Sequence, residues 1–292
     1  MKAFRTAAIL VLTVATVDQA RRARHRGERR RASEKVRDDA VRGAVQEADV
    51  RGPSIVVAIA ALNEGESIGG VLADLPPAVA GVPVNVVVVD DGSTDDTAQV
   101  AASAGAVVAV HARNLGQGDG LRTGFEAARR LGAAVVVTMD ADGQHDPAEL
   151  NGLVEPILAD EADYVQGSRF LGEYDDAGSM RHAGIRGFTT LINALARTRI
   201  TDCTNGYRAI RGSGLARMRL VEDRFSAAEI IIEAASCGLR MREVPVHIRS
   251  RDVGESRKPR GLAYPAGYLG AILRSWTRAN LRRWLPRPGT PR

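Results

Sequence analysis

Four short apolar runs in the middle of the chain carry no polar alternation: Ile55–Ala61 (IVVAIAA), Val84–Val89 (VNVVVV), Val107–Val110 (VVAV) and Val135–Met139 (VVVTM). Near-continuous β-branched runs of this length are expected of strands whose two faces are both covered. Between them lie stretches with helical spacing, Ser67–Leu75, Thr94–Ala104, Gly120–Leu131 and Ala148–Leu158. Strand and helix in alternation predict an α/β fold, a mostly parallel, Rossmann-like sheet with helices on both faces. In such sheets ligands sit beyond the carboxyl ends of the strands, so the residues following each strand are the candidate site.

With 292 residues, 45% of them apolar, the chain is long enough to bury a large core. Cys203 and Cys237 are its only cysteines. They offer neither a disulfide framework nor a metal-ligand spacing, so a reducing compartment is expected and structural zinc is not. The net charge of +5 hides an asymmetry. Residues 1–50 hold 12 basic and 7 acidic groups and residues 240–292 hold 13 and 3, which leaves the body between them at −10. An acidic body argues against a nucleic-acid partner, which would need Arg and Lys spread over the fold. Basic ends suit contact with an anionic membrane surface.

Three regions follow from this texture: a basic, partly helical N-terminal extension (1–50), a central α/β domain that holds the candidate site (51–250) and a basic C-terminal segment (251–292). Ala7–Val17 is apolar but, at 11 residues, too short to span a bilayer as a helix. No clear cleavage site precedes the Arg-rich run Arg21–Arg31, so the expectation is a helix packed on the body or lying in an interface rather than a removed signal. Tyr264–Leu285 is expected to be a helix. Leu269, Ile272, Leu273 and Trp276 share one face, with Arg274, Arg278 and Arg282 beside it and Trp284 near its end. Packing on the body and lying in a membrane interface both fit that pattern.

After the first strand, Leu62, Asn63 and Glu64 open a helix and offer polar groups to a base or ribose, although a plain helix cap reads the same way. After the second come Asp90, Asp91, Gly92, Ser93, Thr94, Asp95, Asp96 and Thr97. So many carboxylates at a buried strand end repel one another unless a ligand or metal is served. The third strand leads to the glycine-rich loop Asn114–Gly120, whose Gly116 and Gly118 allow close approach to phosphates at a helix N-terminus. After the fourth, Asp140-Ala141-Asp142-Gly143-Gln144-His145-Asp146-Pro147 sets two carboxylates and an amide oxygen where one Mg²⁺ or Mn²⁺ could sit, with His145 structural rather than a ligand.

Seven segments in order, ALNEGESI, VVVVDDGSTDDT, NLGQGDG, MDADGQHDP, GSRF, DCTNGYRAI and RSRDVGESRK, resemble the GT-A fold of family 2 glycosyltransferases. The likeness is to the branch of dolichol-phosphate mannose synthase and bacterial polyprenyl-phosphate glycosyltransferases, and it spans about Ile55 to Arg257. It implies that Leu62, Asn63, Glu64, Asp90, Asp91 and Ser93, with Gly116 and Gly118, hold the nucleotide sugar. It implies that Asp140, at the edge between nucleotide and metal, also binds the nucleotide sugar and forms the metal site with the direct ligands Asp142 and Gln144, Asp142 being catalytic. Arg169, Arg186 and Arg208 match positions that meet an acceptor phosphate, Arg169 and Arg208 being counted as catalytic. Arg251, Ser256 and Arg257 resemble a loop that closes over the donor phosphates. Ala60 and Leu62 stand where Pro and Tyr are usual, Gln117 where Lys is frequent and Arg257 where Lys is usual. The paired transmembrane helices of some relatives are absent.

The implied function is metal-dependent transfer of a sugar, with inversion, from a nucleotide-diphosphate sugar to a polyprenyl phosphate at the cytoplasmic face of the membrane. Transfer to a soluble or secondary-metabolite hydroxyl is the enzyme alternative, and an inactive nucleotide-sugar-binding scaffold the non-enzyme one. Glu229 is either a base for a hydroxyl acceptor or the partner of an Arg; an ionised phosphate nucleophile needs no strong base.

Overall fold

The computed structural model describes residues 28, 31–46, 48, 50, 52–173, 179–249 and 263–284. Ala7–Val17 and the loop residues Arg251, Ser256 and Arg257 lie outside the described residues, as does the side chain of Trp284. A helix α1 at 31–46 precedes β1 (Ile55–Ala61), α2 (Gly65–Ala73), β2 (Ala78–Val79), β3 (Val82–Asp90), α3 (Thr97–Ser103) and β4 (Val107–Val110). There follow α4 (Gln117–Arg130), β5 (Val135–Asp140), a 3₁₀ turn at Pro147–Glu149, α5 (Leu150–Leu158), β6 (Tyr164–Ser168) and α6 (Ser179–Ala196). The chain continues through β7 (Arg208–Arg211), α7 (Gly212–Leu215), α8 (Ser226–Ser236), β8 (Met241–Pro245) and α9 (Ala263–Trp284).

The sheet runs β2-β3-β1-β5-β7-β6-β8, with β4 also on β3. Strands β4, β3, β1 and β5 are parallel, whereas β7 runs antiparallel to both β5 and β6. Alternate residues of β1 explain its unbroken apolar run. Val56 and Ala58 pack with Phe125, Tyr164, Ile192, Ile231 and Ile272 on one face, and Ile55, Val57 and Ile59 pack with Ile68, Leu153 and Ile157 on the other. Each such buried side chain contributes about 1.5–3 kcal/mol relative to exposure. Val41 and Ala44 of α1 join the first cluster, so the helix of the N-terminal extension shares the body's core.

Helix α9 packs on α8 and α6, and its Tyr268, Ala271, Ile272, Ser275 and Ala279 are buried. Three of its arginines reach carboxylates of the body: Arg274 pairs with Glu222, Arg278 with Glu222 and Glu229, and Arg282 with Glu233. The Arg stripe therefore neutralises carboxylates of the acidic body, as the packing reading expects, and the interface reading loses those three charges. Leu269, Leu273 and Leu281 remain exposed on the outer side. Among the described residues, no helix is long and apolar enough to cross a membrane.

The ends of β6, β7 and β8 remote from the candidate site are tied by Asp163. Its Oδ1 accepts from Arg211 Nε at 2.8 Å and its Oδ2 from Arg240 Nε at 2.9 Å. The Arg240 guanidinium beside it holds the Asp163 carboxyl well below its ordinary 3.8. A depressed acid stabilises the fold above its unfolded value and loses that contribution as pH falls through the folded one. Thermal melts from about pH 5 to about pH 2 are expected to drop more steeply for the wild type than for Asp163→Asn; parallel curves would refute the clamp.

Candidate active site

Strand register sets the frame. Ala61 lies level with Asp90 of β3, and Ala60 level with Asp140 of β5, so the two aspartates flank the carboxyl end of β1. With strands about 4.8 Å apart, they face each other across roughly 10 Å, and the segment Leu62–Glu64 issues between them.

That segment is hydrogen-bonded to the acidic turn. Asn63 N donates to Ser93 Oγ at 2.9 Å, and Asn63 Oδ1 accepts from Thr94 N at 2.8 Å. Glu64 N donates to Thr97 Oγ1 at 2.9 Å and Gly65 N to Asp95 Oδ2 at 3.1 Å. Asn63 holds a left-handed φ of 51°, which Asn tolerates better than most residues. Ser93, Thr94, Asp95 and Thr97 thus join two loops, and the polar richness of the turn is accounted for without a ligand. Asp90 sits buried at the strand end, its Oδ1 accepting from Ser93 N at 2.9 Å.

Asp91, expected to contact the nucleoside, is buried and bonded within the protein. Its Oδ1 receives Leu115 N at 2.8 Å and meets His111 Nδ1 at 2.7 Å, while its Oδ2 receives Gly116 N at 2.7 Å. Both oxygens are spent inside the protein.

Helix α4 begins at Gln117, three residues before the expected start at Gly120, because the glycines are held from outside rather than left to their weak helical preference. Gly118 N donates to Asp223 O at 3.1 Å, and a Cβ on Gly118 would stand 2.3 Å from Glu222 O. Gly116 has φ 98°. Both amides that the sequence reading offered to donor phosphates are therefore occupied, and these glycines serve the shape of the loop.

Beyond β5, Asp142 Oδ1 accepts from Gln144 N at 3.2 Å, and Gln144 is latched to the chain after β8. Arg249 N donates to Gln144 O at 2.9 Å and Gln144 Nε2 to Arg249 O at 3.0 Å. His145 is buried and stacked on Tyr207. Its Nδ1 accepts from Asp140 N at 3.1 Å, so Nε2 carries the proton given to Asn205 Oδ1 at 3.0 Å. No ring nitrogen is left for a metal, in keeping with its expected structural role. The Asp140 carboxylate is 43% exposed and backed by Gly206, where a Cβ would lie 3.1 Å from both its oxygens. Among the described residues no three His, Cys, Asp or Glu cluster as a closed metal cage. Two aspartates and an amide oxygen fit the open shell of a hard divalent cation that shares its coordination with water and substrate phosphate. Gly206→Ala should displace Asp140 and cut turnover by roughly tenfold with the melting temperature nearly unchanged; full activity in a rate assay would exclude Asp140 from the site.

Of the three arginines expected at the acceptor, one is exposed and two are buried. Arg169 is buried, its Nε donating to Asp202 Oδ2 at 2.6 Å and its Nη2 to Thr204 Oγ1 at 3.1 Å. Arg186 is exposed and lies over the Phe170 ring, 5.3 Å from its centroid. Arg208, 2% exposed, donates to Ala227 O and Asn205 O, its Nε is buried without an acceptor, and among the described residues no carboxylate pairs with it. Tyr164 beside it has its hydroxyl pushed up to about 12 by burial. Glu229 is fully buried and receives Val221 N at 2.9 Å, Glu222 N at 3.0 Å and Arg278. It is the structural partner of an arginine.

The family model described as glycosyl transferase family 2 matches residues 56–218, the stretch that carries all of these loops but the last. The chain belongs to this family. It is 32% identical over 203 residues to a dolichyl-phosphate hexose transferase of Haloferax volcanii, covering 70% of this chain and 86% of that one. It is 33% identical over 190 residues to the polyprenol monophosphomannose synthase of Mycolicibacterium smegmatis, covering 60% and 70%. Among solved structures, glucosyl-3-phosphoglycerate synthase from Mycobacterium tuberculosis, in complex with Mn²⁺, UDP-glucose and phosphoglyceric acid, superimposes with a TM-score of 0.59 at 23% identity, over 82% of each chain. The fold is GT-A, and the protein is a family 2 glycosyltransferase.

Three residues that shape the site of this family 2 enzyme escaped the sequence reading. His111 follows β4 as one polar residue after an apolar strand, which carries no signal of its partners. Asn205 and Gly206 were visible only as neighbours of Arg208, yet one orients His145 and the other makes room for Asp140.

Proposed function

We propose that this glycosyltransferase moves a sugar from a nucleotide-diphosphate sugar to a polyprenyl phosphate, with inversion. The observation that carries the reading is the placement of Asp140 at the end of β5, with Asp142 two residues on, one register step from Asp90 across β1. Leu62, Asn63, Glu64, Asp90 and Ser93 line the side taken by the nucleoside. Asp140, Asp142 and Gln144 would hold Mg²⁺ or Mn²⁺, which when bound stabilises the negative charge of the departing diphosphate. An acceptor oxygen attacks the anomeric carbon, the bond from that carbon to the diphosphate oxygen breaks, and the nucleoside diphosphate leaves. Arg251, Ser256 and Arg257 are assigned to the diphosphate.

A phosphate acceptor suits this chain better than a hydroxyl. The buried Glu229 is committed to two amides and Arg278, so it is not available as a base. Arg186 offers an exposed guanidinium for the phosphate, and Arg208 a buried cation that pairs with no carboxylate among the described residues. Arg169 is assigned to the same anion from its place beside Asp202. The dolichyl-phosphate and polyprenol relatives favour a lipid acceptor, reached at the cytoplasmic face of the membrane through the exposed Leu269, Leu273 and Leu281. The likeness to a synthase solved with phosphoglyceric acid keeps a soluble phosphate acceptor as the second reading.

Incubation with a panel of nucleotide sugars, Mg²⁺ or Mn²⁺, and either a short polyprenyl phosphate or phosphoglycerate, with products weighed by mass spectrometry, tests both. A glycosylated lipid phosphate is expected. A product from phosphoglycerate alone would replace the lipid reading, and no product from any donor would favour a scaffold.

A further inference from the structure

His111 is a buried polar residue that none of the expected roles uses. It stands at the mouth of β4, 1% exposed, between β3 and α4. Its Nδ1 lies 2.7 Å from Asp91 Oδ1 and its Nε2 2.8 Å from Thr123 Oγ1. A carboxylate only accepts, so Nδ1 carries the shared proton, and the contact with Thr123 at the other nitrogen fixes the plane of the ring.

The consequence lies on the far side of Asp91. The same carboxylate collects Leu115 N and Gly116 N, two consecutive amides of the glycine-rich loop. Gly92, with φ 76°, brings the acidic turn so close that a Cβ would stand 2.6 Å from Arg113 C. The loop 113–116 is thus pressed against the turn that carries Asp90 and Ser93. Oδ1 of Asp91 is shared between the imidazole and Leu115 N while Oδ2 takes Gly116 N, so among the described residues His111 is the side chain that braces the carboxylate from the side opposite the loop.

We propose that His111 is a positioning residue for donor binding: acting through Asp91, it holds the 113–116 loop in the shape that closes the nucleoside side of the pocket. Asp91 is then a bracket beneath the nucleotide, one layer removed from it. The inference rests on the proposed reading of that pocket as the nucleotide-sugar site.

Two readouts separate the clamp from the donor assignment. Amide hydrogen exchange at Leu115 and Gly116 should quicken by tenfold or more in His111→Phe, and less in the milder Thr123→Val, with exchange in β1 and β5 unchanged. Calorimetric titration with UDP and GDP should show about tenfold weaker nucleotide binding in His111→Phe, partly restored in His111→Gln, while the KM for the acceptor stays within about twofold. Unchanged exchange at Leu115 and Gly116, in either folded variant, would overturn the clamp. Quickened exchange with unchanged nucleotide affinity would overturn the donor role. Failure of the wild type to bind either nucleotide would sink the parent reading instead, with the exchange data still deciding the clamp.

Discussion

Asp142→Ala is expected to lower turnover by on the order of a thousandfold while leaving the fold intact. Asp142 sits in a half-buried turn, where its Oδ1 accepts from Gln144 N at 3.2 Å. Losing that contact should cost no more than about 0.5 kcal/mol, within the range of ordinary surface changes. On the proposed reading activity depends on it differently, because Asp142 would help to hold the cation that stabilises the charge leaving with the diphosphate. Initial rates across a Mg²⁺ and Mn²⁺ titration, together with a melting curve, check the pair of claims. A variant that keeps its rate and its metal dependence would remove Asp142 from the site.

Glu229→Ala should show the reverse, a large loss of stability with little effect on the rate of molecules that remain folded. Truncation strips acceptors from Val221 N and Glu222 N, leaves Arg278 without one of its carboxylates, and opens a cavity under α8. Breaking a buried ion pair from one side costs about 3–5 kcal/mol. Burial pushes the Glu229 carboxyl up, opposed by the two amides and Arg278. A raised folded value means that the native state holds the proton more tightly, so this group's contribution fades as pH rises past its ordinary 4.5. The wild-type margin over the variant should therefore narrow toward neutral pH, as chemical denaturation at several pH values can measure. If instead the folded variant were catalytically dead, Glu229 would be the base of a hydroxyl-directed enzyme, and the phosphate acceptor would lose its main structural argument.

The contrast between these two carboxylates shows what the sequence could carry. Strands β1, β3, β4 and β5 were legible because burial on both faces writes an unbroken apolar run, and the carboxyl ends of those strands then point to Asp90 and Asp140. Strands β6, β7 and β8 were not. Tyr164–Ser168 buries Gln166, whose amide is satisfied by Gly167 O and Asn205 O, and Met241–Pro245 mixes charge with apolar residues, so neither has the pattern of an interior strand. From the sequence, the acidic turn after β3 reads as a set of groups that need a ligand or metal as partner. The partners turned out to be amides of the neighbouring loop, which lie about 30 residues away in the chain and leave no trace in local spacing. Periodicity likewise placed Arg274, Arg278 and Arg282 on one side of α9, but only the positions of Glu222, Glu229 and Glu233 decide that this side faces inward.

Cation and nucleotide location is the most direct test of the central claim. A crystal grown with Mn²⁺ and a nucleoside diphosphate, and measured at the manganese edge, should give one anomalous peak within coordination distance of Asp142, beside Asp140 and Gln144, with the diphosphate bridging it and the base toward Asn63 and Asp90. A peak elsewhere, or nucleotide bound away from the end of β5, would contradict the account.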